Sequence, residues 1–157
     1  MDLESAEVRI EPATAGDVEW SAQIMASSEP WVTLRQTRQK IETGLRRAGI
    51  ELWLAHRGPQ RAGLIVLDRY GFAGSPYIKS VAVAPNERGR GIGTRMLNFA
   101  EEHFAGERFL FLLVSSFNAA AQRLYFRHGY EKRGELPNYI VEGYAEWILS
   151  KRLPPRN

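Results

Sequence analysis

The chain has 157 residues, a length that predicts one domain, over residues 1–157, with a single sizeable core. Apolar residues make up 44% and charged residues 25%, which excludes collagen, coiled-coil arrays and disordered chains. No apolar run approaches the roughly 18 residues of a membrane span, and the first residues lack a secretory signal pattern. Cysteine is absent, which excludes disulfides and thiolate metal sites and favours a reducing cytoplasm. We expect a cytoplasmic protein without a membrane partner.

The charges are nearly balanced, with 21 Lys and Arg against 18 Asp and Glu. Most of them are interleaved along the chain, which is typical of a solvated surface, whereas nucleic-acid binders cluster their basic residues. Arg88, Arg90 and Arg95 are the exception, since they lie within eight residues around three glycines. This local excess favours a small anionic ligand over a nucleic-acid partner.

Alternating and wholly apolar segments predict the strands, which we place at 8–11, 51–56, 62–68, 77–83, 109–114 and 144–151. The run at 109–114 is apolar throughout, which is typical of a strand buried on both faces.

Helical spacing occurs in four segments. Thr14 followed by Asp17 forms a near capping box, so a first helix is expected to about residue 25. The apolar residues of a second helix, which stops before position 49, fall seven, four and three apart: Leu34, Ile41, Leu45 and Ala48. A third helix runs from about position 91, and a fourth is capped by Asn118 and ended by Gly129. The order is roughly βααβββαβαββ, in which a seventh strand without assigned bounds lies between the fourth helix and the strand at 144–151. This order predicts an α/β or α+β sheet covered by helices.

A glycine-rich turn is the most informative segment. Gly89, Gly91 and Gly93 follow a strand and open the third helix. Glycines let a ligand approach the backbone, and the free N–H groups at a helix N-terminus bind phosphate. The spacing fits neither a P-loop nor a dinucleotide fingerprint. The glycines alone fit a tight strand-to-helix connection equally well.

Two motifs resemble those of one known family. The stretch from Arg88 to Gly93 matches the Arg/Gln-x-x-Gly-x-Gly/Ala signature of the GNAT superfamily of acyl-CoA N-acyltransferases, and the strand ending at Pro85 matches the strand that precedes it. The segment from Asn118 to Tyr130 resembles the family's Asn-x-x-Ala-x-x-Leu-Tyr-x-x-x-Gly-Phe segment, at the family's distance. The resemblance covers nearly the whole chain. It implies a central mixed, mostly antiparallel sheet with splayed middle strands, flanked by about four helices.

The resemblance also implies acetyl-CoA, or a related acyl-CoA, as co-substrate, and no metal. The backbone of Val81 and Val83 would meet the pantetheine arm, and the helix that contains Ala121 would meet the cofactor through Asn118 and Tyr125. The turn that would wrap the pyrophosphate consists of Arg88, Gly89, Arg90, Gly91, Ile92, Gly93 and Thr94. Tyr125 would be the general acid for the leaving thiolate, because a tyrosine with a pKa of about 10 is protonated at neutral pH.

The acceptor side is less defined. Where some relatives carry a glutamate as general base, this chain has Tyr77 and Leu113, so the base, if one exists, comes from elsewhere or acts through water. An amine with a lowered pKa would need no dedicated base. Glu29, in the turn between the first two helices, is a candidate base, although a solvated loop carboxylate is the simpler interpretation. Trp31, Tyr77 and Tyr139 are candidate acceptor contacts.

The implied function is transfer of an acetyl group to a primary amine by direct attack in a ternary complex. The acceptor is either a protein N-terminus or a small amine. The alternative is a non-catalytic module of the same fold that senses acyl-CoA. Homodimers are common in this family, so the resemblance is also compatible with a homodimer.

Overall fold

The computed structural model describes residues 7–156, which form seven strands and four α-helices. In chain order these are β1 (Val8–Pro12), α1 (Ala15–Ala26), α2 (Arg38–Leu45), β2 (Ile50–Arg57), β3 (Gln60–Phe72), β4 (Ser75–Val83), α3 (Ile92–His103), β5 (Phe109–Ser115), α4 (Ala119–Arg127), β6 (Glu131–Pro137) and β7 (Ala145–Arg152). The predicted order of strands and helices is confirmed.

The strands form one sheet in the order β1-β2-β3-β4-β5-β7-β6. Neighbouring strands are antiparallel except β4 and β5, which run parallel because α3 connects them. The predicted mixed, mostly antiparallel sheet flanked by about four helices is therefore confirmed.

The two faces of the sheet bury separate apolar clusters. Under α3 and α4 the cluster includes Met96, Phe104 and Leu110. Under α1 and α2 it includes Met25 and Leu64. Successive strand residues point to opposite faces, so one strand supplies both clusters.

The capping box predicted for α1 is present. The backbone N–H and the side-chain hydroxyl of Thr14 both donate to Asp17 Oδ2, at 2.8 and 2.9 Å. These bonds satisfy polar groups at the helix start, and they explain why α1 begins at Ala15.

The second helix is shorter than predicted. Thr37 caps α2, with its Oγ1 accepting from the Lys40 backbone N–H at 3.1 Å. Leu34 therefore lies before the helix, in a turn where its N–H donates to the Pro30 carbonyl at 2.9 Å, and Ala48 lies after the helix. Leu34 is still buried, which is why the apolar spacing indicated a longer helix.

Strand β5 is buried on one face instead of both. Leu110, Leu112 and Val114 are buried against α3 and α4, whereas Phe111 and Leu113 are only half-buried. Phe111 and Leu113 alternate with the buried residues and therefore face the α1–α2 side of the sheet.

The separation of β4 from β5 is the main irregularity of the sheet. Within residues 7–156, β4 pairs with β5 at two positions, Tyr77 with Phe111 and Ile78 with Leu112. A register irregularity in the β3–β4 pairing lies immediately beyond, between Ile78 and Ser80. From Lys79 onward the two strands diverge, which confirms the predicted splay and opens a gap through the sheet.

A buried ion pair holds the connection that follows β4. Arg57, at the end of β2, donates through Nε to Glu87 Oε2 at 2.7 Å and through Nη2 to Glu87 Oε1 at 3.0 Å. Glu87 is 2% exposed and ends the short 3-10 turn Pro85–Glu87 that precedes the glycines. The pair therefore fixes the glycine turn to the antiparallel half of the sheet.

We expect Glu87→Gln to destabilise the fold by about 3 kcal/mol, because it removes the negative charge that the buried Arg57 guanidinium contacts in a bidentate pair. For a domain of this size the melting temperature would fall by about 6–12 °C. The matched control is Glu42→Gln, which breaks the exposed pair of Glu42 with Arg46 and should change stability by less than about 0.5 kcal/mol. Equal melting temperatures for the two variants would contradict this role.

The same pair predicts an acid dependence of stability. Hydrogen bonds from Arg57 hold the pKa of Glu87 below its usual value of 4.5. The folded state therefore binds this proton less tightly than the unfolded state. Its contribution is complete above pH 4.5 and is lost as the pH falls through the lowered pKa. Denaturant titrations of wild type and Glu87→Gln should converge in acid.

Candidate active site

A cavity of about 1190 Å³ occupies the gap between β4 and β5. It extends from the glycine turn, past β4 and α4, to the α1–α2 segment and the loop between β6 and β7. The splay of the two central strands creates this space, since a continuous ladder would close it. The cavity is thus a channel between the two faces of the sheet.

The glycine turn forms one end of the cavity. Gly89 and Gly91 both have φ of 77°, a left-handed conformation that glycine adopts at little cost. A Cβ at Gly91 would meet no described atom within 4 Å, so open space adjoins the backbone there. Gly91, Ile92, Gly93 and Thr94 line the cavity.

The start of α3 completes this end. No side chain among residues 7–156 caps the helix at Gly91. The first N–H groups of a helix have no intrahelical acceptor, and the helix dipole makes them favourable for an anion. The turn therefore suits a phosphate group.

The two arginines of the turn are placed differently. Arg88 lines the cavity and can supply a guanidinium to an anion. Arg90 lies outside the cavity lining, and its Nε is 3.7 Å from Glu87 Oε2. A contact between Arg90 and a ligand stays a prediction.

Strand β4 supplies the middle of the cavity. Val81 and Val83 pair with β3 on one side, while on the other side their edge pairs with no strand among residues 7–156. Both residues line the cavity. An extended amide-containing chain could add to this open edge as a further strand would.

Helix α4 forms the cavity wall opposite β4. Asn118 Oδ1 accepts from the Ala121 backbone N–H at 3.3 Å, which caps the helix as predicted. Asn118, Ala121 and Tyr125 line the cavity. Tyr125 is 7% exposed, and burial raises its pKa to about 12. Its hydroxyl is therefore neutral and can donate a hydrogen bond at any physiological pH.

The predicted acceptor residues lie at the other end of the cavity. Trp31, Tyr77 and Tyr139 all line it, and burial is the largest cause of a raised pKa at Tyr77. Glu29 is exposed, and its carboxylate accepts hydrogen bonds from the backbone N–H and the hydroxyl of Thr33. The structure thus brings these four residues together, with Glu29 engaged in its own turn.

Glu146 is a cavity residue that the sequence analysis did not identify. It is the second residue of β7, lies opposite Ser115 of β5 and is 4% exposed. Burial raises its pKa above the usual 4.5. The Ser115 hydroxyl faces it outside regular hydrogen-bond geometry and opposes this rise only in part. Its sequence signal was a carboxylate inside a predicted strand, a position where carboxylates are uncommon.

Residues 7–156 contain no group of three or more His, Asp or Glu side chains placed to hold a metal ion. No helix in this range is long and apolar enough to cross a membrane.

The family model described as "Acetyltransferase (GNAT) family" matches residues 17–130. This match covers more than half of the chain, so the chain belongs to the GNAT acetyltransferase family, and the resemblance of its motifs is confirmed. An uncharacterized N-acetyltransferase of Methanocaldococcus jannaschii is 36% identical over 84 residues, which are 52% of this chain and 54% of the relative. The chain thus spans about half the length of that relative.

Solved structures share the fold. The Arabidopsis thaliana NAA60 structure, in complex with a bisubstrate analogue, has a TM-score of 0.77 and 18% identity, and the match covers 94% of this chain and 100% of that one. An aminoglycoside 6'-N-acetyltransferase complexed with coenzyme A has a TM-score of 0.75 and 15% identity, covering 95% and 99%. At these identities the likeness concerns the fold alone.

The glycine turn generates a testable prediction. Gly91→Ala and Gly49→Ala both place a Cβ at a left-handed residue with no described atom within 4 Å, so each should cost about 1–2 kcal/mol of stability. Gly91 lines the cavity and Gly49 does not. We therefore expect about tenfold weaker binding of coenzyme A by calorimetry for Gly91→Ala, and unchanged binding for Gly49→Ala. Equal affinities would argue against the turn as the phosphate site.

Proposed function

We propose that this protein is an acetyl-CoA-dependent N-acetyltransferase that acts on a primary amine. The observation that carries the proposal is the continuous cavity that joins an anion-binding turn, an open strand edge and a buried tyrosine. The pyrophosphate would bind at residues 88–94 and the pantetheine arm along Val81 and Val83. The thioester would then lie where β4 leaves β5. Family membership and the coenzyme A held by a structural neighbour support this assignment.

The protein would act mainly by positioning the amine against the thioester and by polarising the thioester carbonyl. The open backbone edge at Val83 would hydrogen-bond the thioester carbonyl and favour attack by the amine. The cavity walls would hold the nitrogen and the carbonyl carbon together, which supplies a large part of the acceleration in such reactions. The attack forms a C–N bond and breaks the C–S bond.

Tyr125 is the proposed partner of the leaving sulfur. With a pKa of about 12 it is over a thousandfold less acidic than a free thiol with a pKa of about 8.5. Complete proton transfer to the thiolate is therefore unfavourable unless Tyr125 regains a proton from the attacking nitrogen. Tyr125 thus stabilises the thiolate by a hydrogen bond and passes a proton from nitrogen to sulfur.

The acceptor class stays open between a protein N-terminus and a small amine. The cytoplasmic location and the homodimer stay predictions of the sequence. A sensor module that binds acyl-CoA without turnover would show cofactor binding and no amine-dependent release of coenzyme A.

Thermal unfolding with acetyl-CoA is the direct test. At 100 times its Kd a ligand adds about 2.7 kcal/mol, which for this size raises the melting temperature by about 5–10 °C. NAD and ATP are the controls and should produce no comparable rise. The second measurement is release of coenzyme A with a panel of primary amines. An unchanged melting temperature with millimolar acetyl-CoA would rule out the proposed function. A rise in melting temperature without release of coenzyme A would support the sensor module.

Tyr125→Phe should lower kcat by about 100-fold, since it removes the proton donor, and should leave the Kd of acetyl-CoA within about twofold. Stopped-flow measurement of coenzyme A release would give kcat. Tyr70→Phe is the control, because Tyr70 is 73% exposed and lies outside the cavity. An unchanged kcat for Tyr125→Phe would exclude the role.

A further inference from the structure

Glu146 is a buried carboxylate that has no cationic partner among the residues the structure describes. It is 4% exposed, and no Lys, Arg or His among residues 7–156 opposes the effect of burial on it. Burial of an ionised carboxylate is costly unless a cation or several donors compensate it. The buried carboxylate Glu87 has such a partner in Arg57, whereas Glu146 faces the cavity. A cationic group of a ligand would therefore supply the positive charge that no described side chain provides.

The strand register places Glu146 on a defined face. Residues paired across neighbouring strands point to the same side, and alternate residues of one strand share a side. Glu146 pairs with Ser115, and Tyr77 pairs with Phe111. These side chains, together with Leu113, therefore share the α1–α2 face of the sheet.

Tyr125 lies on the opposite face. It packs in the cluster under α3 and α4 with Leu110, Leu112 and Val114, which alternate with the residues on the Glu146 side. The gap between β4 and β5 connects the two faces. A thioester in this gap would have Glu146 on the side from which the ammonium enters and Tyr125 on the other side. Once the C–N bond has formed, the nitrogen and the sulfur share one carbon atom, so the Tyr125 hydroxyl can contact both.

Resting on the acetyl transfer proposed above, we infer that Glu146 binds the ammonium group of the acceptor and takes its proton. Tyr77 lies on the same face of the sheet and lines the same cavity, and the charge of Glu146 contributes to the raised pKa of Tyr77. The hydroxyl of Tyr77 can accept from the ammonium or hold a water between the two groups. Glu146 fills the role of general base that the residues at positions 77 and 113 leave vacant.

The protons balance as follows. The acceptor ammonium gives one proton to the Glu146 carboxylate and becomes a neutral amine. The amine attacks the thioester carbonyl, and the nitrogen loses its second proton through Tyr125 to the sulfur that leaves. The products are the amide and coenzyme A as the thiol. Glu146 then releases its proton to solvent, which restores the carboxylate.

The charges of the cavity limit the class of acceptor. The other two acidic side chains among the described lining residues are engaged, Glu87 with Arg57 and Glu29 with Thr33, and Lys40 and Lys79 lie on the lining as well. Thr33 does not neutralise the charge of Glu29, but Glu29 is exposed to solvent. A second ammonium group would therefore find no further buried carboxylate free of a cation, and it would meet the lysines of the lining. These charges favour an acceptor with a single ammonium.

The mouth of the cavity is apolar. Trp31, Tyr139 and Ile140 line it, and Tyr139 and Ile140 are exposed to solvent at 61% and 42%. These side chains would pack against an apolar or aromatic group beside the ammonium. The acceptor class is thus a monoamine with an apolar neighbour, from a small molecule or from a peptide with an apolar first residue.

The pH dependence of kcat/KM is expected to show the titration of Glu146. The groups that act on its Tyr77 neighbour are Asp68 from β3, Tyr125 from α4 and Tyr139 from the β6–β7 loop, and Ser115 faces Glu146 from β5. Burial raises the pKa of Tyr77 and of Tyr125, so these two phenols stay neutral at neutral pH. A limb of kcat/KM that rises with pH, from a pKa above the usual 4.5 of a glutamate, therefore belongs to Glu146.

The test compares Glu146→Gln and Glu146→Asp with Glu131→Gln, an exposed carboxylate of β6 outside the cavity. The probes are 2-phenylethylamine, a peptide amide with an N-terminal leucine, and spermidine. For the better monoamine we expect Glu146→Gln to lower kcat/KM by about 100-fold or more and to abolish the rising limb. Glu146→Asp should restore part of the rate and the limb, and spermidine should be the poorest acceptor.

Binding gives a readout independent of turnover. Calorimetry of the monoamine into wild type loaded with coenzyme A should show binding that Glu146→Gln lacks, with the acetyl-CoA affinity unchanged. Without ligand, Glu146→Gln should melt at the same or a higher temperature at neutral pH, because a raised carboxyl pKa costs stability above pH 4.5.

Three outcomes would overturn the inference while acetyl-CoA still binds. They are a kcat/KM of Glu146→Gln within threefold of wild type, equal monoamine binding or no monoamine binding by both proteins, and a large fall in the melting temperature of Glu146→Gln. A preference for spermidine would overturn the single-ammonium class. Failure of wild type to bind acetyl-CoA is a different result and removes the proposed function instead.

Discussion

The functional architecture depends on the limited pairing between β4 and β5. Within the described chain these strands share two residue pairs, whereas β5 and β7 share seven. A complete β4–β5 ladder would satisfy more backbone groups, but it would leave no route through the sheet. The open edge along Val81 and Val83 therefore keeps backbone groups that no described strand pairs, and the two apolar clusters on either side keep the divided sheet together.

The residues of the glycine turn do little to restrict its conformation, so the turn depends on contacts with other elements to hold its shape. Left-handed glycines lose much conformational freedom on folding, and no described side chain caps α3. The buried pair between Arg57 and Glu87 supplies the support from β2, on the far side of β3. Such a pair is costly to bury, and its bidentate geometry holds the turn in one position relative to the strand edge.

Burial has opposite consequences for Tyr125 and Glu146. It raises the pKa of both groups, because a low-polarity environment disfavours the charged form of any acid. For a phenol the rise removes ionisation at neutral pH and leaves a permanent donor. For a carboxyl group the rise brings the pKa closer to neutrality, where an acceptor of protons is most effective. The two side chains lie on opposite faces of the sheet.

The sequence by itself determined the element order, the capped start of α1 and the glycine turn, because each depends on residues close together in the chain. The resemblance of its motifs to a known family also led to the choice of Tyr125 and Tyr77 as candidates, and both line the cavity. The local patterns missed the true start of α2, since Leu34 is buried by a turn, and they predicted two buried faces for β5. Only the tertiary structure brought Glu146 to the cavity. That position depends on the register of β7 against β5, about thirty residues away, and a pairing between distant segments leaves no trace in local periodicity.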